Sequence, residues 1–269
     1  MKFYGKIATY TIVILFIFIG FLTLKNILGV NIYSSIRLEL FPPIVGTILI
    51  TFFSVAIATP VGVVTGIFIS EYCSLKIKEF LIFIFKMLSS LPSILYGLFG
   101  FIMMLTINKI FNSDFKPCFF LSALSLSFLI LPYIVHATIV GFSQIDFQLR
   151  ELPLTLGAKK YQAIFKVYLP EAISFISSGI ALAIGRAAED TAVIMLTGVA
   201  AFAGIPSSLL APYEALPFFI FYSTQENVTN EKIKLIYLAA LIIIVISSIF
   251  IFLSKKVRFI GNGKFNTFN

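Results

Sequence analysis

The sequence predicts an all-α polytopic membrane protein with six transmembrane helices, and three observations predict it. Hydrophobic residues fill 59% of the 269 positions and charged residues 12%, against roughly half and a quarter in soluble domains. Mean hydropathy is +1.03, with 31 Phe in the chain. Finally, a helix needs about 20 mostly apolar residues to cross about 30 Å of hydrocarbon, and six stretches supply them. They are Ile7 to Leu28, Pro42 to Ser70, Phe80 to Ile107, Cys118 to Phe142, Glu171 to Phe202 and Ile233 to Ser254. This composition excludes a disordered or nucleic-acid-wrapping chain despite the net charge of +8, so no nucleic-acid partner is expected and the surroundings are membrane lipids.

The first stretch is too long for a cleavable signal, and no small-residue cleavage pattern follows it before Lys25, so it reads as a retained anchor. Within the third, Pro92-Ser93 and Tyr96-Gly97 should loosen the helix near the membrane middle and expose backbone groups that can line a cavity. Ser93 and Tyr96 are therefore candidate pathway residues, with ordinary helix packing as the alternative. His136 in the fourth stretch reads as a packed or hydrogen-bonded core residue rather than a ligand.

The fifth stretch holds Arg186, Glu189 and Asp190, taken as the only strongly ionisable side chains well inside a span. Charges at that depth cost a few kcal/mol, so they face the bundle interior or water and mark a pathway. At 100° per residue, Glu189 and Asp190 fall about 60° and 40° to either side of Arg186, so one helix would carry all three on one face. A small-residue stripe of Ser178, Ala181, Gly185, Ala188 and Ala192 lies beside them and suits close packing against another helix. An internal ion pair that only locks the helix is the other reading.

Six spans place both termini on one side. Counting Lys and Arg outside the spans, with Lys86 assigned to the inner group, gives 13 on the N-terminal side and 6 on the other, which makes both termini cytoplasmic. Cys73 and Cys118 then lie at opposite surfaces and cannot pair, and one His with two Cys makes no metal framework. Two polar stretches remain: a cytoplasmic one from Ser143 to Pro170, and an external one from Gly204 to Lys232 whose Pro206, Pro212 and Pro217 suggest an irregular cap. The organisation reads as 1–41 for the first helix and external loop, 42–256 for the core, and 257–269 for a cytoplasmic tail.

In the cytoplasmic stretch, Glu151 to Leu156 favours a short helix that Gly157 can end in a left-handed turn. A second, basic amphipathic helix then runs to Pro170. Two short helices make a docking surface, and an interfacial amphipathic helix would show the same pattern.

Order and spacing add a resemblance. Glu151, Gly157, Ile164, Leu169 and Pro170 resemble the EAA loop of ABC importer permeases, with Leu152 and Pro153 in place of that family's alanines. Three stretches are similar to the phosphate-type branch: Phe41-Pro42-Pro43 through Ser70-Glu71-Tyr72, Leu91-Pro92-Ser93-Ile94-Leu95-Tyr96-Gly97-Leu98-Phe99-Gly100, and Gly185-Arg186-Ala187-Ala188-Glu189-Asp190-Thr191-Ala192. The last has Glu189-Asp190 where the family has Gly-Glu. Ala215-Leu216-Pro217 looks more like PstA-type than PstC-type subunits.

The resemblance covers roughly Phe41 to Lys256. It implies a type I ABC importer permease architecture and ATP-driven import of inorganic phosphate. It also implies a sister permease of PstC-like type, an external phosphate-binding protein, and two ATPase subunits that hold the ATP and Mg. It gives Glu151, Gly157, Leu169 and Pro170 the ATPase-coupling role and Arg186 with its acids the substrate pathway. Phosphate at neutral pH can donate a proton to a carboxylate, whereas sulfate, molybdate and tungstate cannot. These other oxyanions remain alternative cargoes.

No G-x-x-x-x-G-K-[ST] cradle, H-E-x-x-H or G-x-S-x-G occurs, so the chain is expected not to be an enzyme. A membrane-embedded enzyme using Arg186, Glu189 and Asp190 is the reading from another class.

Overall fold

The computed structural model describes residues 39–226 and 229–263. The anchor expected at Ile7 to Leu28 lies outside them. Ten helices appear among the described residues: α1 (Phe41–Glu71), α2 (Leu75–Ser90), α3 (Ser93–Phe111), α4 (Phe119–Ser143), α5 (Phe147–Thr155), α6 (Lys160–Ala163), α7 (Leu169–Glu189), α8 (Ala192–Thr197), α9 (Leu216–Gln225) and α10 (Asn230–Gly263). A π-helical turn, Ile164–Tyr168, joins α6 to α7. The described residues form no strand, only an isolated bridge between Val199 and Tyr213.

Among the described residues, five helical runs are long and apolar enough to cross a membrane: Phe41–Glu71, Ser93–Phe111, Phe119–Ser143, Lys160–Glu189 and Asn230–Phe250. Two depart from the sequence expectation. The third apolar stretch is two helices, because Pro92 lacks the N–H that would continue the ladder and pushes Leu91 to extended backbone (φ −67°, ψ 141°). The fifth run begins eleven residues earlier than expected and ends sooner. No break falls before Pro170, since the π turn shifts the ladder (Leu169 N–H donates to Ile164 O) and Pro170 sits in the first turn of α7. At the other end, Asp190 turns extended and stops the helix (φ −77°, ψ 121°).

The most enclosed helix is α4, which packs against α1, α2, α3 and α7. Small residues set the approach, as expected where lipid gives helices no hydrophobic reason to associate. A methyl group on Gly62 would meet Ile134 Cβ at 2.9 Å, and one on Gly66 would meet Thr138 Cβ at 2.5 Å. Two apolar clusters follow: an extended one around Ile50, Leu126, Ile130, Ala183 and Ile194, and one around Phe142, Ile164, Tyr168 and Ile176 under the docking loop.

The irregular cap expected over Gly204 to Lys232 is irregular only to Ala215, since Pro217 opens α9 and α10 begins at Asn230; together with residues 197–203 it covers the start of α4. It does so chemically. Backbone N–H groups of Cys118, Phe119 and Phe120, which have no partner inside their own helix, donate to the carbonyls of Thr197 (2.9 Å), Ala211 (3.0 Å) and Leu209 (2.8 Å). Cys118 is free and buried there, while free Cys73 follows the far end of α1.

Candidate functional site

Two regions carry chemistry: the loop between α4 and α7, and the end of α7.

In the loop, α5 ends as the sequence predicts. Gly157 takes φ +81° with nothing near a would-be Cβ. Its N–H donates to Leu154 O (3.0 Å) and that of Ala158 to Pro153 O (2.9 Å), the paired bonds of a Schellman C-terminus. Glu151 is exposed. Around it Phe147 (75%), Leu152 (57%), Leu156 (79%) and Phe165 (63%) are exposed too, an apolar surface of the kind that marks an interaction site. Leu169 and Pro170 are half-buried at the root of α7, where Leu169 packs on the cluster beneath the loop.

Sequence reasoning missed what fastens this loop. Arg150 Nη1 donates to Glu71 Oε1 at 2.8 Å, and its Nη2 donates to Phe142 O. The guanidinium lies 5.5 Å from the Tyr168 ring centre, and Tyr168 Oη donates to Arg150 O at 2.8 Å. Lys160 Nζ donates to Glu71 O and sits 4.7 Å from the Tyr72 ring centre. The Glu71 side chain is only 7% exposed, so a bidentate-capable Arg satisfies a nearly buried carboxylate. The signal was present in Ser70-Glu71-Tyr72, but a partner 79 positions away is invisible to local spacing.

At the end of α7, Arg186 Nη2 lies 2.9 Å from Asp190 Oδ2. Asp190 Oδ1 accepts the Val193 N–H at 2.9 Å. The acid thus closes one helix and opens the next, with both oxygens used. Its side chain is 2% exposed, whereas that of Arg186 is 36% exposed. The expectation that all three charges share one helical face is corrected: Asp190 has left the helix, and Glu189 is exposed. The centre is a neutral pair with a separate free carboxylate, rather than one cation against two adjoining anions.

The neighbouring α3 seats this break. A methyl group on Gly97 would come 3.0 Å from Ala192 O, and one on Gly100 would come 2.0 Å from Ser125 Oγ, so α3 lies directly against α8 and α4. Tyr96 is buried and its hydroxyl donates to Leu88 O at 2.7 Å, the carbonyl that the missing N–H of Pro92 would otherwise have used. Ser93, half-buried, opens α3 beside it. The small-residue stripe is largely packed: Ala181 and Ala188 are buried, Gly185 and Ala192 half-buried, and Ser178 open.

Residues 62–257 match the family described as binding-protein-dependent transport system inner membrane component. The chain belongs to this family. Among relatives of this permease, a phosphate transport system permease protein PstA homolog of Mycoplasma pneumoniae is 28% identical over 221 residues, covering 79% of this chain and 33% of that one. A probable phosphate transport system permease protein PstA of Methanocaldococcus jannaschii is 26% identical over 205 residues, covering 76% of this chain and 70% of that one. The chain therefore spans about a third of the Mycoplasma relative's length. In fold, the permease resembles a chain of the inward-facing MetNI methionine ABC transporter, with a TM-score of 0.62 at 14% identity, covering 85% of this chain and 96% of that one. The family and the five apolar helices make it an inner-membrane protein with type I importer permease architecture.

Proposed function

We infer that this permease is a subunit of an ATP-driven ABC importer of inorganic phosphate, lining the pathway together with a sister permease. The observation that carries the reading is the family match over residues 62–257, joined to relatives named as phosphate permeases in organisms as distant as a mycoplasma and an archaeon. Arg186 supports it chemically. A half-exposed guanidinium keeps donors free for phosphate oxygens after meeting Asp190, and Glu189, open and with no partner among the described residues, is placed to accept a proton from hydrogen phosphate. Ser93 and Tyr96 serve the pathway by shaping the break on which α8 rests.

The partners are two ATPase subunits carrying ATP and Mg, a PstC-like sister permease, and an external phosphate-binding protein. Hydrolysis belongs to the ATPases, and this chain is the moved part rather than an enzyme. Glu151, Gly157, Leu169 and Pro170 belong to the coupling loop, whose exposed apolar side chains meet the ATPase. The core is 42–256, and the loop and both termini face the cytoplasm. Lys86 lies well along α2 rather than in an inner loop, which lowers the inner count of basic residues to 12 against 6 without changing its sign.

Uptake of labelled phosphate by the complete transporter in vesicles, with sulfate and tungstate as competitors, tests the cargo. Competition by tungstate or sulfate as strong as by unlabelled phosphate would overturn it. Replacing Glu151 or Gly157 tests the loop, and unchanged ATP-coupled uptake would remove its coupling role.

A further inference from the structure

Lys86 and His136 share a groove that the centre at Arg186 does not use. Lys86 is the twelfth residue of α2, about 16 Å along the helix from Leu75 at 1.5 Å per residue. The level is fixed by packing: Leu81, Ile82 and Phe85 of α2 rest on Val135 and Ile139 in the last third of α4, on the docking-loop side. Lys86, Ser89, Tyr133, His136 and Ser178 line a groove of about 440 Å³ between α2, α4 and α7. This is within the usual range for ligand pockets. Both Lys86 and His136 are exposed, so His136 is not the packed core residue expected from the sequence.

No carboxylate lines the groove. Among the described residues, no ion pair includes the Lys86 ammonium. An unneutralised ammonium at that depth is costly, and such charges face water or a permeating ion.

Geometry ties the groove to Arg186. Along α7 the open residues are Glu171, Phe175, Ser178, Leu182 and Glu189, with half-exposed Arg186 in the same series. The spacings of three and four make one helical face. Ser178 is eight residues, about 12 Å, nearer the docking loop than Arg186. One face therefore passes from a neutralised cation at Arg186 to an unneutralised one at Lys86.

We propose that Lys86, with His136, Ser89, Ser178 and Tyr133, forms a second oxyanion site on the loop side of Arg186, which receives the cargo anion as it leaves the Arg186–Asp190 centre. Lys86 supplies the charge. The Tyr133 hydroxyl and the His136 imidazole supply donors, the Ser89 and Ser178 hydroxyls join them by turning from Lys86 O (2.8 Å) and Ser174 O (2.9 Å), and weak serial sites let an ion leave as readily as it enters. The inference rests on the importer reading above for its cargo, but not for the groove's charge.

The test has two arms in the assembled transporter. In the first, Ser89→Cys is placed in a chain carrying Cys73→Ser and Cys118→Ser, and is treated with anionic and cationic methanethiosulfonates. The anionic reagent should react at least tenfold faster, Lys86→Gln should abolish that preference, and inorganic phosphate should slow the anionic reaction only when Lys86 is present. A thiol inert to both reagents, or a preference indifferent to Lys86→Gln, overturns the proposal by placing the groove against lipid or a sister subunit.

In the second arm, Lys86→Gln should lower phosphate uptake at least tenfold while ATP hydrolysis stimulated by the binding protein persists, and Lys86→Arg should restore it. Normal uptake by Lys86→Gln overturns the site and leaves the importer reading intact. Wild-type transport of another oxyanion but not of phosphate overturns the phosphate reading instead, and the same comparison is then made on that anion. Loss of the sister permease from Lys86→Gln preparations would mean that Lys86 pairs across the subunit interface, which also overturns the site.

Discussion

Replacing Asp190 by Asn should loosen the junction of α7 and α8 more than a surface charge change would. The Asp190 side chain is 2% exposed and that of its partner Arg186 36%. An exposed ion pair contributes about 1 kcal/mol at most, whereas losing one member of a fully buried pair costs about 3–5 kcal/mol. A buried acid on a half-open guanidinium lies between, so about 2–3 kcal/mol is expected for Asp190→Asn. The amide can still accept from the Val193 N–H, but it then turns an NH₂ group toward the guanidinium. Arg186→Met leaves a buried carboxylate without a counter-charge and should cost at least as much. The double variant should cost clearly less than the sum, with a coupling of about 2 kcal/mol.

Hydrogen exchange read by mass spectrometry on peptides covering Arg186 to Thr197 is the direct assay, because the Val193 amide is itself bonded to Asp190. With no Trp in the chain, intrinsic Trp fluorescence cannot report the change. About 2 kcal/mol corresponds to roughly thirtyfold faster exchange. Additive effects of the two single variants, with coupling under about 0.5 kcal/mol, would refute the view that this pair holds the break closed.

Other outcomes follow from the same geometry. Tyr96→Phe should destabilise by about 0.6–1.7 kcal/mol, the range for hydrogen bonds between membrane helices. In thermal melts followed by circular dichroism that cost should shrink in a Pro92→Ala background, which offers Leu88 O a second backbone N–H beside that of Leu91 (3.1 Å). Gly157→Ala should cost about 1–2 kcal/mol for its left-handed backbone alone, since no atom lies within reach of the new methyl, and Gly157→Asn should cost less, as judged by the same melts. Arg150→Met should free the loop from α1 and raise protease cleavage between Phe147 and Lys160 while leaving the expression level unchanged. Between α9 and α10, the hydrogen bond from Lys232 and then that from Tyr222 hold the Glu226 carboxyl below its usual 4.5. This contribution to local order is present above that value and is lost as pH falls through the lowered folded value. Protection factors for hydrogen exchange at the start of α10, taken against the intrinsic rate at each pH, should therefore fall under acid, and Glu226→Gln should remove that fall.

Much of the architecture was legible because lipid permits so few solutions. Long apolar runs had to be helices, and α1 and α4 lie within a residue or so of their expected limits. Proline chemistry located the break beside Pro92, and Gly157 located the turn of the loop, but the loosening expected at Tyr96-Gly97 is absent because α3 runs unbroken through both. The errors came where one residue decides between continuing and stopping. A π turn absorbed Pro170 and let the helix run on, and Asp190 satisfied itself better as a cap than as one more helical turn. Lys86 was misplaced because positive-inside counting assigns cations to loops, although its position in an apolar run was already a signal. The Arg150 to Glu71 tie needed the fold, since nothing local joins positions so far apart.

The helical run from Lys160 to Glu189 is unbroken over 30 residues, about 45 Å of rod. Its foot is part of the docking loop, and its head ends at Asp190. Tilting such a lever by about 5° swings the head by about 4 Å, more than the reach of the ion pair seated there. A small turn at the foot is therefore magnified at the Asp190 junction, with no relay of side chains between.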